Sequence, residues 1–114
     1  MTDCLFCRMV SGEISPDLVG ENAGAIAFRD INPVAPTHAL VIPRSHHANL
    51  AEVAQTEPAV LADVFALAHE LAAKEGIADS GYRLVANTGA DAHQTVFHAH
   101  VHVLGGRPMG WPPG

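Results

Sequence analysis

The segment that decides the fold is His98-Ala99-His100-Val101-His102-Val103-Leu104, in which histidines and small apolar residues alternate. Such alternation is typical of a β-strand, because successive side chains of a strand point to opposite faces of the sheet. The pattern therefore predicts a strand with its three histidines on one face and Ala99, Val101 and Val103 packed on a core. A polar strand face that is rich in histidine by chance is the less favoured interpretation.

The histidine spacing also indicates a chemistry. Residues two apart on a strand lie roughly 6.5–7 Å apart, so neighbouring imidazoles can converge on one group the size of a phosphate. Neutral imidazole is a nucleophile and its N–H is a donor to charged oxygens, which fits phosphoryl chemistry. Zinc ligands use the same H-x-H spacing, so a zinc-dependent hydrolase is an alternative. The segment contains no carboxylate base, which disfavours that alternative.

Composition restricts the function classes further. The chain has 114 residues, of which 48% are hydrophobic, and a formal net charge of −6. Its length suits one domain over residues 1–114, and its acidic balance argues against binding to nucleic acid or to a membrane surface, since both need a basic face. Its eight histidines outnumber its six lysines and arginines. We recognise no signal peptide or membrane-spanning stretch and expect a cytoplasmic location.

The rest of the chain predicts an α+β fold: an antiparallel sheet of about five strands with one long helix and a short N-terminal helix. Strands are expected over 25–29, 38–43, 82–87 and 99–105, and an irregular tail over 105–114. The turn ahead of the first of these strands is expected over 21–24.

Capping residues set the expected helix boundaries. The long helix is expected over 57–75, with Thr56 as its N-cap and Gly76 just past its end. The short helix is expected over 4–10, capped by Asp3 and ended by Gly12. The apolar stripe of the long helix consists of Val60, Leu61, Val64, Ala68 and Leu71.

A C-x-x-C pair, Cys4 and Cys7, lies near the N-terminus. In a cytosolic chain this spacing favours a metal site or a redox pair over a structural disulfide. Two cysteines make half of a zinc site, which needs two further ligands. The alternative is a pair of cysteines packed in a short helix without a metal.

These segments together resemble the histidine triad (HIT) superfamily and, within it, the histidine-triad nucleotide-binding (HINT-like) branch. Residues 98–104 fit its H-φ-H-φ-H-φ-φ signature, and the likeness covers nearly the whole chain. The other matching blocks are residues 27–33, 36–46, 87–89, 94–98, 105–107 and 111–114. The resemblance implies a purine nucleotide-binding hydrolase of the nucleoside phosphoramidase type, which cleaves at the α-phosphate through a covalent nucleotidyl-histidine. A nucleotide-binding regulatory or interaction module with little turnover is the alternative.

The resemblance implies four catalytic histidines. His100 is the implied nucleophile, and His102 is the implied donor to the phosphoryl oxygens. His98 and His38 are implied to hold the orientation and tautomer of the His100 ring.

It also implies the nucleotide contacts. Asp30 is expected to accept hydrogen bonds from the ribose hydroxyls, and Phe28 and Ile31 to flank the base, with core packing as the alternative for Phe28. Asn87 is expected to contact the ribose–phosphate region. A loop is expected to meet the phosphate and leaving group with backbone N–H groups and with the Thr95 hydroxyl, and it consists of Gln94, Thr95 and Val96.

That loop departs from the Gly-x-Ser that is common in the branch, since it reads His93-Gln94-Thr95. Threonine keeps the hydroxyl that can deliver a proton to a leaving amine. If position 93 requires a positive φ or a close backbone approach, His93 costs stability or crowds the phosphate. It could equally add a hydrogen-bond donor.

The resemblance also implies a metal and a set of partners. Cys4, Cys7, His46 and His98 match a zinc site of bacterial members, with His47 as the alternative to His46. Such a closed site is structural, so the chemistry is expected to need no cofactor. The expected ligand is a purine mononucleotide, or a nucleoside phosphoramidate or acyl-phosphate conjugate, and neither nucleic acid nor membrane is expected. A homodimer is implied, with Trp111 as an interface anchor in the tail; a floppy terminus is the alternative.

Overall fold

One antiparallel sheet of five strands organises the chain in the computed structural model, which describes residues 3–114. The strands are β1 (Leu18–Glu21), β2 (Ala25–Arg29), β3 (Thr37–Pro43), β4 (Tyr82–Val85) and β5 (Val101–Gly105). The helices are α1 (Leu5–Val10), α2 (Leu50–Thr56) and α3 (Pro58–Lys74). The strand order is β1-β2-β3-β5-β4, and the expected α+β architecture is confirmed.

The two faces of the sheet carry separate apolar clusters, because alternate residues of each strand point to opposite sides. On one face, small strand residues such as Ala27, Val41 and Val103 pack beneath α3. On the other face, Phe28, Leu40 and their neighbours pack against Phe6 of α1. The face beneath α3 is thus closed by a long helix, whereas α1, of six residues, covers only part of the opposite face.

The histidine segment belongs to the face that carries α1. β5 lies between β3 and β4 and pairs Leu40 with His102 and Val41 with Val101. The predicted alternation holds, since Ala99, Val101 and Val103 are fully or almost fully buried. The predicted strand is too long, however, because β5 begins at Val101 and the Ala99 N–H donates to the His47 carbonyl outside the sheet.

The long helix was predicted with the wrong N-terminus. Thr56 is the last residue of a separate helix, α2, and Glu57 stands between α2 and α3 with φ −140° and ψ 63°. The C-terminus is as expected, since Gly76 follows the helix with φ 75°. Buried residues Val64, Ala68 and Leu71 confirm the core of the apolar stripe, whereas Val60 and Leu61 are only half-buried.

The N-terminal helix differs from the prediction only at its cap. Cys4, and not Asp3, is the N-cap, and its Sγ accepts a hydrogen bond from the Cys7 N–H at 3.4 Å. Gly12 follows the helix with φ 85°, as expected. The first strand, β1, was not recognised in the sequence.

The tail begins one residue later than expected, because Gly105 pairs with both Thr37 and Tyr82 as the last residue of β5. Residues 106–114 are irregular, and Trp111 among them is 82% exposed. Within residues 3–114, no helix combines the length and the apolar character that a bilayer span needs.

Candidate functional site

The His100 ring has a defined tautomer. Its Nδ1 lies 2.7 Å from the backbone carbonyl oxygen of His98, and a carbonyl can only accept, so Nδ1 carries the proton. In the neutral ring this leaves the lone pair on Nε2. The His98 carbonyl thus supplies the orientation that was expected of the His98 ring. His100 is only 7% exposed, and its ring packs edge-on against Phe6.

His38 and His102 form a second hydrogen-bonded pair. The Val34 N–H donates to Nδ1 of His38 at 3.1 Å, so the proton of the neutral His38 ring is on Nε2. That Nε2 lies 2.9 Å from Nδ1 of His102 and 3.3 Å from a carboxylate oxygen of Asp30. Donation to His102 leaves the proton of the neutral His102 ring on its Nε2. The hydrogen bonds of His38 therefore orient His102, and not His100 as expected.

Burial keeps these two rings neutral. It holds the pKa of His102 at about 4, with the nearby His100 and His38 as further causes. Burial also lowers the pKa of His38, against the opposing effect of the Asp30 carboxylate. Both tautomers deduced above therefore apply at neutral pH.

A cavity of about 390 Å³ opens beside the paired rings. Its wall includes His100 and His102, whose ring centroids are 5.2 Å apart. No lysine or arginine of the described chain lines it, so imidazoles are its only basic side chains. Several residues expected to contact a nucleotide lie on the same wall, namely Asp30, Asn87, Thr95 and Val96.

A second, mainly apolar cavity adjoins the first at Phe6, Asp30 and Leu40. Phe28 lines it and is also buried in the core, so both interpretations of Phe28 apply. Ile31 is 91% exposed at its edge. Asp30 thus lines both the apolar cavity and the cavity lined by histidines.

Gln94 does not present its side chain to the cavity. Its amide donates to the carbonyls of Ala48 and Val96 at 2.7 and 3.0 Å and accepts from the Gly89 N–H at 2.9 Å. The Gln94 N–H donates to the Gly89 carbonyl, so it too is used within the protein. Gln94 is therefore a buried residue whose side chain stabilises the loop from within. The resemblance had implied a contact with the nucleotide at this position and did not indicate the structural role.

His93 adopts the left-handed conformation, with φ 64° and ψ 34°. It is the only non-glycine residue with positive φ in the described part of the chain. Position 93 therefore has the positive φ at which a residue with a Cβ, such as histidine, costs stability. Its exposed side chain lines the histidine cavity.

Side chains from three distant segments of the chain form a cluster of four that includes Nδ1 of the His98 ring. The ligand atoms of Cys4, Cys7, His46 and His98 all lie within 4.8 Å of one another. Nδ1 of His98 is 3.4 Å from Cys4 Sγ, 3.5 Å from Cys7 Sγ and 3.2 Å from His46 Nδ1. Zinc–ligand bond lengths of about 2.1 and 2.3 Å give tetrahedral edges of roughly 3.3–3.8 Å between such atoms. The donor set and its spacing therefore fit zinc.

The tautomer of His98 supports the same fit. Its Nε2 donates to the Pro43 carbonyl at 2.9 Å, so the lone pair is on Nδ1 and faces the cluster. Burial holds the pKa of this ring at about 4. His47, the alternative ligand, is not part of this cluster, and its Nε2 donates instead to a carboxylate oxygen of Glu57 at 2.5 Å.

Asp30, His38 and His102 form another group with metal-ligand atoms close together. Here the hydrogen bonds argue against a metal. Nδ1 of His38 accepts from the Val34 N–H, so the nitrogen that faces the group carries the proton. A metal would need the lone pair of that nitrogen, and the group is better described as a hydrogen-bonded network.

Phe6 is a site residue that the sequence did not reveal. It lies between the two cysteines and packs edge-on against His98, His100 and Phe28, with ring centroids 5.4–5.7 Å apart. It also lines both cavities. Its position inside the C-x-x-C motif is the one available signal, since a cluster that holds both cysteines brings the residue between them to the site.

Comparisons with known proteins find chains of similar sequence and fold. The family model described as "HIT domain" matches residues 11–109. A HIT family hydrolase from Legionella pneumophila Philadelphia 1 is 46% identical, with a TM-score of 0.93 over 98% of this chain and 100% of that one. A 14 kDa zinc-binding protein of Zea mays is 43% identical over 96% of this chain and 87% of its own length. A histidine triad nucleotide-binding protein from Candida albicans is 32% identical, with a TM-score of 0.82 over 96% and 83% of the two chains.

Proposed function

This chain belongs to the HIT domain family, and from that premise we propose that it is a purine nucleotide hydrolase of the nucleoside phosphoramidase type. Its fold is that of the HIT family hydrolases, and a nucleotide-binding hydrolase is the general activity that this fold supports. The observation that supports the more specific proposal is that Asp30 lines both an apolar cavity and an adjoining cavity lined by histidines.

The parts of a nucleoside monophosphoryl group complement the two adjoining cavities. The purine base takes the apolar cavity beside Phe28 and Ile31, and the ribose hydroxyls donate to the Asp30 carboxylate. The α-phosphate then lies against His100 and His102, with Asn87 beside the ribose. The fit needs no surface of positive charge, which agrees with the net charge of −6.

His100 acts as the nucleophile because its Nδ1 proton is held by the His98 carbonyl and its lone pair is on Nε2. The Nε2 lone pair attacks the α-phosphorus, and an N–P bond forms while the bond from phosphorus to the leaving nitrogen breaks. The leaving amine takes a proton from the Thr95 hydroxyl, which regains one from solvent water. Water then attacks the phosphorus and releases a proton to solvent, the His100–phosphorus bond breaks, and the nucleoside monophosphate is released.

His102 stabilises the charge that develops on the phosphoryl oxygens. Its Nδ1 accepts from His38, so its Nε2–H is the donor left for an oxygen. Because the donor is oriented before the substrate arrives, little reorganisation is needed in the transition state.

The test is a rapid-quench reaction with an adenosine phosphoramidate, followed by intact-protein mass spectrometry. Wild type should gain the mass of one nucleotidyl group, and His100→Ala should lose both the adduct and turnover. His69→Ala is the matched control, since His69 is an exposed histidine of α3 that lines neither cavity. Undiminished turnover in His100→Ala would refute the mechanism. Nucleotide binding by wild type without adduct or turnover would support the regulatory-module alternative.

We assign zinc to the Cys4, Cys7, His46 and His98 cluster as a structural ion. Two thiolates and two imidazoles would close the tetrahedron and tie α1 to the sheet, so no position remains for substrate. Thiolate ligands need a reducing compartment, which fits the cytoplasm. The similar Zea mays protein is named as a zinc-binding protein.

We also propose a two-fold homodimer. β4 is an edge strand of the sheet and can pair with another strand. The tail is fixed by a hydrogen bond from Arg83 to the Gly110 carbonyl at 2.8 Å, and it carries the exposed Trp111 next to that edge. A molar mass of one chain by light scattering at micromolar concentration would contradict this assembly.

A further inference from the structure

The segment 45–48 carries His46 between the end of β3 and the start of α2. It belongs to no helix or strand, and His46 itself is exposed. Secondary structure therefore does not fix the position of this ring relative to the two cysteines and His98. Side-chain hydrogen bonds of Ser45 and His47, on both sides of His46, help to hold it, together with hydrogen bonds to the backbone of the same segment.

Both hydrogen bonds end on one carboxylate oxygen of Glu57. The Ser45 hydroxyl donates to Oε2 at 2.7 Å, and Nε2 of His47 donates to the same oxygen at 2.5 Å. These hydrogen bonds hold the pKa of the Glu57 carboxyl below its ordinary value, the one from His47 most strongly, so the group is a carboxylate at neutral pH.

The backbone of Glu57 is itself well fixed. Its N–H donates to the Val53 carbonyl in α2 at 2.8 Å, and its carbonyl accepts from the Leu61 N–H in α3 at 3.2 Å. The residue that separates the two helices is thus bonded to both of them. Its carboxylate therefore extends from a fixed backbone position and accepts from the loop residues on either side of His46.

We propose that Glu57 is a positioning residue of the metal site, which holds His46 in the orientation needed for ligation by gripping Ser45 and His47. This inference rests on the proposed zinc site and adds to it a residue outside the ligand set. Partners that orient a metal ligand commonly change the affinity for the metal 10- to 100-fold, and Glu57 acts on the ligand through its chain neighbours.

Backbone carbonyls of segment 45–48 also accept hydrogen bonds from residues near His98 and near the candidate active site. The His47 carbonyl accepts from the Ala99 N–H at 2.7 Å, and Ala99 follows the ligand His98. The Ala48 carbonyl accepts from the Gln94 amide at 2.7 Å, in the loop beside the histidine cavity. Segment 45–48 therefore connects two metal ligands and the loop of the candidate active site.

The experiment measures Co²⁺ binding to the full chain, because Co²⁺ with thiolate ligands has a charge-transfer band that reports on its coordination. We compare Glu57→Ala, Glu57→Gln and the control Glu70→Gln, in which an exposed glutamate of α3 is changed. Glu57→Ala should weaken Co²⁺ affinity at least tenfold in competition with a chelator. Glu57→Gln should lie between Glu57→Ala and wild type, because its amide oxygen can still accept both hydrogen bonds.

Separate outcomes test the site and the inference. Absence of the charge-transfer band in wild type would overturn the metal site itself. A band in wild type, with Glu57→Ala affinity within twofold of Glu70→Gln, would overturn the role of Glu57 alone. If Glu57→Ala does not fold, Ser45→Ala removes one of the two hydrogen bonds without touching the helix junction. A loss of affinity of a few fold supports the proposal, and an unchanged affinity refutes it.

Discussion

Replacement of His93 by glycine should stabilise the protein. A residue with a Cβ in the left-handed conformation costs roughly 1–2 kcal/mol relative to the right-handed one, and His93 has φ 64° and ψ 34°. Glycine removes that cost but makes the unfolded chain more flexible, which returns about 0.4–1 kcal/mol. The net expectation for His93→Gly is a gain of about 0.5–1 kcal/mol in the free energy of unfolding.

His93→Ala is the matched control, since it removes the imidazole and keeps the Cβ. Urea and thermal unfolding of wild type and both variants separate the two effects. His93→Gly should exceed His93→Ala by about 0.5–1 kcal/mol, and its Tm should exceed that of wild type by about 2–4 °C. If the glycine variant is no more stable than the alanine variant, the reasoning from backbone strain is wrong.

The same variants decide what the imidazole does at the cavity. If it crowds the phosphate, both substitutions should tighten the binding of a purine mononucleotide. If it donates to the phosphate, both should weaken that binding. Calorimetric titration with adenosine monophosphate distinguishes these outcomes, because it measures the affinity of wild type and of both variants directly.

Three further perturbations test other parts of the site. Gln94→Ala should lower the free energy of unfolding in urea by about 1–3 kcal/mol, because the Gly89 N–H and two carbonyls lose their partners. A loss of less than about 0.5 kcal/mol would contradict this structural role of Gln94. The pKa of His102 is about 4 when folded and roughly 6.5 when unfolded, so the unfolded chain binds the proton first as pH falls. Stability should therefore decline between pH 6.5 and 4, and decline less in His102→Gln; equal slopes would exclude this cause. Chelation should lower the Tm yet leave most turnover at low temperature, whereas immediate loss of turnover would indicate a catalytic metal.

The central strands could be predicted from sequence because their constraints are local and strong. Ala25–Arg29 and Thr37–Pro43 are apolar runs bounded by turn residues, and the histidine alternation indicates the face of His102. Asn22 accepts hydrogen bonds from the N–H groups of Gly24 and Ala25, as the expected turn requires. These elements follow from side-chain period and turn chemistry alone.

Other elements depended on contacts that sequence patterns do not display. Thr56 looks like an N-cap, but its hydroxyl donates backwards to the Glu52 carbonyl at 2.7 Å, within the last turn of α2. The helix ends there because Glu57 precedes Pro58, and a residue before proline is disfavoured in the helical conformation. Glu57 caps α3 without any side-chain hydrogen bond to the helix, because its carboxylate is bound to Ser45 and His47. The partners that occupy the Glu57 carboxylate lie 10 and 12 positions away in the sequence.

The candidate site shows the same division. The identity of its histidines was visible in the motif, and His46 and His98 do meet Cys4 and Cys7. The proton on each ring was not predictable, because backbone groups determine it: the carbonyls of Pro43 and His98 and the N–H of Val34. A motif names the rings but does not state which nitrogen of each ring is available.

Residue 98 serves two sites through different parts of itself. Its ring belongs to the metal cluster, whereas its main-chain carbonyl orients His100. Every amino acid carries that carbonyl, so a point mutation at position 98 can delete the metal ligand without deleting the acceptor for His100. The two functions are therefore genetically separable, and a lineage could abandon the ion while keeping the acceptor that orients its nucleophile.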